Sequence, residues 1–221
     1  MKSFFLQDPK LLCYGFLIIF FASYGQTFFI SLFNENIKEH YNLTDGNFGL
    51  VYSIGTIASS LALISFAKLI DHIDLRIYSF FISIGLVLAC FGMFIFYSNI
   101  FYLFLIIFAL RFFGQGAMTH AGETTMARYF GKNRGKAISF ATFGGMIGVM
   151  FLPFIVVKLT SGIGEQSVWL IASFSLILFT PFIFLILKNQ NQRQKNFKNK
   201  FINDSLKKKW RTRDVLIDNK F

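Results

Sequence analysis

Several runs of about 20 residues in this chain carry no charged side chain, and those runs fix what it can fold into. From Ile77 to Tyr97 there are 21 residues without a single Asp, Glu, Lys or Arg. As a helix rising about 1.5 Å per residue, such a run crosses the roughly 30 Å hydrocarbon core of a bilayer. Similar runs predict spans over residues 11–33, 48–70, 137–157 and 167–187. A further span starts near Ile100, contains Arg111, and continues as a more polar helix toward Arg128. Backbone inside lipid must satisfy its own hydrogen bonds, so the spans are expected to be helices. A barrel would alternate apolar and polar residues over short stretches, and these runs do not. The expected fold is therefore all-α: a polytopic membrane protein of six transmembrane helices. A signal peptide is the rival reading of the first run, because Lys2 and Lys10 flank it; the run is long for that role and no small-x-small cleavage site follows.

Composition agrees. Charged residues make up 15 % of the chain and hydrophobic residues 54 %, whereas a soluble domain carries about 25 % charged residues. The net charge of +11 does not imply a nucleic-acid partner, because of where the charge lies. If the N-terminus is inside, nineteen of the 22 basic residues fall on inner flanks or in the tail, and only Lys38 and Lys158 on outer flanks. That bias places both termini in the cytoplasm, in a cell membrane (the inner one in a bacterium). The expected organisation is a transmembrane domain over residues 1–187 and a basic tail over 188–221. Residues 188–209 read as hydrophilic and flexible. Leu206, Trp210, Ile217 and Phe221 share one helical face, which predicts an interfacial helix on an anionic lipid surface.

The sharpest candidate is Arg111, about ten residues into its span. A charge at that depth costs at least a few kcal/mol, so it must face protein or water. Two readings stay open: an anion or proton-coupling contact, and a buried Arg that only ties spans together. Gln115 lies one turn on, on the same face. Gln26, within Tyr24-Gly25-Gln26-Thr27, is a second polar cluster at membrane depth, either cavity lining or an interhelical bond. His120 and Glu123 can serve a proton relay or simply sit at headgroup level. Gly114, Gly116, Gly144 and Gly148 permit close helix approach, and Pro153 favours a bend. In the turn between spans two and three, Asp71 is placed to pair with Arg128 or Arg134, a latch on the inner face, with Asp74 and Arg76 beside it. Residues 34–47 read as an outer loop. Cys13 and Cys90 read as unpaired packing residues, and no metal or cofactor spacing is present. No GxxxxGK, HExxH or GxSxG motif points to an enzyme.

These features resemble the N-terminal half of a major facilitator superfamily transporter. The turn Ala67-Lys68-Leu69-Ile70-Asp71-His72-Ile73-Asp74-Leu75-Arg76 is similar to the family's G-x-L-x-D-[RK]-x-G-[RK]-[RK] motif, matching at Leu69, Asp71 and Arg76. Arg111-Phe112-Phe113-Gly114-Gln115-Gly116, then Ala127-Arg128-Tyr129-Phe130 and Asn133-Arg134-Gly135-Lys136-Ala137, resembles the pattern of a subgroup that includes monocarboxylate and oxalate/formate permeases. Lys209 to Phe221 is similar to the family segment that precedes a seventh helix. The resemblance implies a secondary transporter that moves a small organic anion by alternating access with proton coupling or exchange. It implies Arg111, Gln115, Gln26, His120 and Glu123 near substrate or proton, and Asp71, Arg76, Arg128 and Arg134 at the inner gate. It implies a lipid bilayer as surroundings, and a C-terminal six-helix half or a like subunit as partner. A membrane scaffold that reuses the half-transporter fold is the alternative.

Overall fold

The long apolar runs are helical over most of their length, and side-chain caps open three of them. The computed structural model describes residues 2–95, 99–195 and 197. Among them are six helical segments long and apolar enough to cross a membrane: Pro9–Ser31, Asp45–Asp71, Leu75–Ile95, Ile100–Tyr129, Gly131–Ile163 and Glu165–Ile186. No strand occurs among the described residues. Asp8 opens the first span by accepting a hydrogen bond from Leu11 N at 3.1 Å, with Pro9 at the first helical position. Thr44 caps the second span through Asn47 N at 3.3 Å, and Asn99 caps the fourth through Phe101 N at 2.8 Å. Gly164, at φ 81°, is the single residue separating the fifth and sixth spans. Positive φ suits a residue without Cβ.

The chain divides into two compact units, Met1–Lys188 and Asn189–Phe221. In the first, the first span packs against the fifth and the polar end of the fourth, the second against the fourth, and the third against the sixth. Leu11, Leu12, Tyr14, Ile18 and Ala22 of the first span are fully buried. Gly144 lies on the Phe16 backbone and Gly148 on the Ser23 side chain, so the first and fifth spans cross through small residues. Phe29 and Phe33 close on Trp169 of the sixth span, with ring centroids 5.2 and 4.7 Å apart. By contrast, Leu50, Ile54, Ile57, Leu61 and Ile64 of the second span are exposed, as are Phe143, Met146, Met150 and Phe154 of the fifth. An apolar surface of this extent fits lipid or another helix, not water. In the second unit, residues 190–195 are helical, so the start of the tail is more ordered than its composition suggests. The interfacial helix expected around Leu206 to Phe221 lies outside the described residues.

Several expectations need correction. The first span is not one helix over 11–33. Its α-helix ends at Ala22, a 3-10 turn covers Ser23–Gly25, Gln26 is extended at φ −79° and ψ 152°, and helix resumes at Thr27–Ser31. The expected outer loop contains the helix Asn34–Tyr41, ended by Asn42 in the left-handed region at φ 51°. Lys38 of this helix donates to Glu35 at 2.8 Å and to Asp45 at 2.6 Å, tying it to the start of the second span. The fifth span continues through Pro153 without an assigned break and is longer than expected, Arg134–Ile163. Neighbouring groups in a membrane helix can absorb the missing hydrogen bond. Cys90 is buried as a packing residue is, whereas Cys13 lies on the exposed face.

The tightest crossing gives a direct test. An added Cβ at Gly114 would sit 2.6 Å from the Gly25 Cα, whereas one at Gly49 would meet nothing. Gly114→Ala is expected to destabilise the protein by about 1–3 kcal/mol through overpacking, while Gly49→Ala is neutral or slightly stabilising. Thermal unfolding in detergent distinguishes the two.

Candidate functional site

The site begins where two irregular backbones meet. The fourth span is α-helical from Ile100 to Ala109, π-helical over Leu110–Met118, and α-helical again from Thr119 to Tyr129. A π segment is rare and is often found at functional positions. The Gly25–Gly114 contact sets the break of the first span directly against it. With no Cβ on either residue, the two main chains touch, and this places Thr27, just past the break, beside Arg111.

Arg111 is 8 % exposed. Its Nη1 donates to Thr27 Oγ1 at 2.8 Å and also to Gln115 Oε1. The guanidinium carbon lies 5.5 Å from the centroid of the Tyr52 ring, within range of a cation–π attraction. Tyr52 in turn donates its hydroxyl to Thr27 at 3.1 Å. Thr27 oxygen thus accepts twice, which leaves its own proton to donate elsewhere. All these partners are neutral, and no carboxylate among the described residues forms an ion pair with Arg111. Its Nε is buried without a hydrogen-bond partner among the described residues, as is Thr56 Oγ1. Both residues line a cavity of ≈ 160 Å³ together with Ser59, Ser60, Leu63, Gln115 and Gly116. The polar part of the cavity wall is therefore one guanidinium, one amide and three hydroxyl side chains, with no acid.

The other expected residues are spread along the same unit. Gln26 is half-buried but does not line the cavity; its neighbour Thr27 makes the contact with Arg111. His120 and Glu123 are also half-buried and lie outside the cavity lining. The Thr124 hydroxyl lies 3.4 Å from the His120 ring nitrogens. Toward the ends of the second and fourth spans, Arg128 donates to Asp71 and, at 3.3 Å, to Ile70 O. Asp71 thus takes Arg128 and not Arg134, which is exposed at the start of the fifth helix and has no ion pair among the described residues. Asp74 is bound locally: Arg76 donates to it from its backbone N at 2.8 Å, Nε at 2.9 Å and Nη2 at 3.1 Å. Gly116 faces Leu63. Among the described residues no group of three or more His, Cys, Asp or Glu is placed to hold a metal.

Sequence reasoning missed Tyr52, Thr56, Ser59 and Ser60. The signal was present: they recur on one face of the second span at helical spacing, the one polar stripe on an apolar helix.

Asp74 predicts a pH effect. Burial opposes its ionisation, but the hydrogen bonds and charge of Arg76 outweigh burial and hold the carboxyl below the ordinary carboxylate range. A depressed folded value means the ionised form stabilises the fold above the unfolded value, about 3.9, and that this contribution fades as pH falls through the folded one. Asp74→Asn is expected to lower thermal stability at neutral pH. The gap from the parent protein should close on acidification below about pH 4, measured by unfolding scans in detergent.

Comparison with known proteins bears on what such a cavity serves. A family model described as Major Facilitator Superfamily matches residues 15–219. No curated protein and no solved structure matches the chain. The matched stretch takes in most of the first span, the other five spans, the buried Arg111 and the Asp71–Arg128 pair. The chain is a multi-pass membrane protein and belongs to the Major Facilitator Superfamily, a family of transporters.

Proposed function

We propose that the protein takes part in moving a small organic anion, such as a monocarboxylate, across a cell membrane, with Arg111 as the anion contact. One observation carries this reading: a buried guanidinium with neutral partners, an unpartnered Nε, and a hydroxyl-lined cavity beside it. A buried charge without a counter-charge is costly. An incoming carboxylate supplies that charge and accepts hydrogen bonds from the Arg fork. Gln115 and Thr27 orient the guanidinium, Thr27 and Thr56 offer hydroxyl donors, and Ser59 and Ser60, whose protons go to Thr56 O at 2.8 and 2.9 Å, add polar oxygens to the wall.

The transport cycle is alternating access, with proton coupling or exchange. The six spans supply one wall of the cavity, and the apolar faces of the second and fifth spans receive a second six-helix half or a like subunit. The Asp71–Arg128 pair holds one end of this wall closed, with Arg134 adding positive charge at the same gate and Arg76 acting there through its pair with Asp74. His120 and Glu123, farther along the fourth span, relay protons. The termini face the cytoplasm, where the basic excess belongs.

The test is uptake of radiolabelled lactate and oxalate into proteoliposomes, with and without an imposed proton gradient. Arg111→Gln is expected to reduce uptake about 30-fold or more, the scale of a lost charge-assisted hydrogen bond. Arg111→Lys should retain part of it. A monodisperse, folded Arg111→Gln protein with full uptake would sink the assignment.

A further inference from the structure

A second cavity lies away from Arg111, at the start of the fifth span, and nothing in the transport reading uses it. Its volume is ≈ 610 Å³ and it is lined by Phe4, Phe5, Asn133, Gly135, Lys136, Ser139, Phe140 and Phe143. That volume falls within the range of sites that hold whole small-molecule ligands, about 300–1,000 Å³. The groove exists because the N-terminal helix Lys2–Phe5 is pinned on the connection between the fourth and fifth spans. Phe4 meets Phe130 with centroids 5.9 Å apart, Phe5 meets Phe140 edge-on at 5.4 Å, and Asn133 donates to Gln7 at 3.1 Å.

The lining is graded along the helix axis. Lys136, Ser139 and Phe143 lie along one exposed face of the fifth span. From Lys136 to Phe143 the helix rises about 10 Å. The fifth span is 33 residues long, more than the ~20 a hydrocarbon core requires, so it has turns to spare beyond the hydrocarbon. Along its axis the charged lip comes before the aromatic floor, the order in which a lipid presents phosphate and acyl chain. Among the described residues Lys136 forms no ion pair; between Glu123 and Glu165 the chain has no Asp or Glu, while Lys132 and Arg134 flank the groove in sequence.

We propose that this groove binds one anionic phospholipid of the adjoining leaflet, with its phosphate at Lys136 and an acyl chain lying along the surface made by Phe5, Phe140 and Phe143. Charge complementarity selects the anionic headgroup, and the four Phe rings require an occupant with a hydrocarbon tail. Anionic lipid headgroups and basic residues near a membrane surface attract each other in this way. The site is independent of the Arg111 cavity and of transport.

Native mass spectrometry tests it, on full-length protein released from nanodiscs of equal phosphatidylglycerol and phosphatidylcholine. The parent protein is expected to retain phosphatidylglycerol preferentially. Lys136→Gln should reduce that preference about fivefold, the scale of one basic residue at the surface. Ser139→Trp, which fills the groove from an exposed position and leaves every charge in place, should reduce it similarly. Gly135→Phe provides a second filler, because a Cβ there meets nothing within 4 Å. Lys68→Gln, in the 3-10 turn Ala67–Asp71 that ends the second span, should leave the preference unchanged. The proposal is overturned if the parent protein shows no preference, if Lys68→Gln and Lys136→Gln act equally, or if both fillers are without effect. The last two outcomes would assign the preference to general surface charge.

Discussion

The contact of two backbones at Gly25 and Gly114 organises the functional half of the molecule. Most helix crossings in a membrane are separated by side chains, and the partner groups of a buried charge must reach across that gap. Here the gap is absent. The first span can break at Gln26 because the backbone freed there is pressed against the fourth span and shielded from lipid, the condition under which irregular backbone survives at membrane depth. The break exposes the start of a new short helix, and Thr27 at its head reaches Arg111. Tyr52 joins from the second span. Three spans thus converge on one guanidinium, and the arrangement depends on two residues that have no side chain.

The same geometry explains how a charge persists so deep in the protein. Thr27, Gln115 and the face of Tyr52 reduce the cost of burying Arg111 without cancelling its charge. An acid within reach would have neutralised it and left no attraction for an incoming anion. A neutral first layer keeps the charge available while holding the side chain in one orientation. The Asp71–Arg128 pair contrasts with this: its carboxylate is largely exposed, water screens the interaction, and the pair can be broken and remade at small cost.

The six spans were legible in the sequence because a water-facing helix or strand rarely goes about 20 residues without a charge, whereas a lipid-facing helix requires it. Arg111 was legible for the converse reason, since a charge inside such a run is expensive and demands a partner. Its immediate partners were harder to see. The stripe of Tyr52, Thr56, Ser59 and Ser60 was present in the sequence, but serine and threonine are ordinary in membrane helices, and what the stripe serves shows only with the fourth span beside the second. The break at Gln26 has no Pro to announce it; Tyr24-Gly25-Gln26-Thr27 reads equally well as continuous helix. Asp71 had two basic candidates. Arg128 was selected because it ends the fourth span facing the turn, whereas Arg134 follows a 3-10 turn, Gly131–Asn133, that carries it outward. The lipid groove was illegible for a different reason: its walls are far apart in the sequence, and no pattern in either stretch reveals the other.

The π segment over Leu110–Met118 has a consequence for the whole polar end of the fourth span. An α-helix turns about 100° per residue, and a π-helix turns less, because each hydrogen bond spans one more residue. Nine residues wound this way act as a phase shifter between the two halves of the rod. Upstream residues keep one angular register and downstream residues another, although helix runs from Ile100 to Tyr129 without a gap. His120, Glu123 and Arg128 therefore face directions that an ordinary helix starting at Ile100 would not give them. A lineage that lost a single residue here would tend to rewind the segment and re-aim that entire end, leaving the Arg111 region and the Asp71 partner on different clocks.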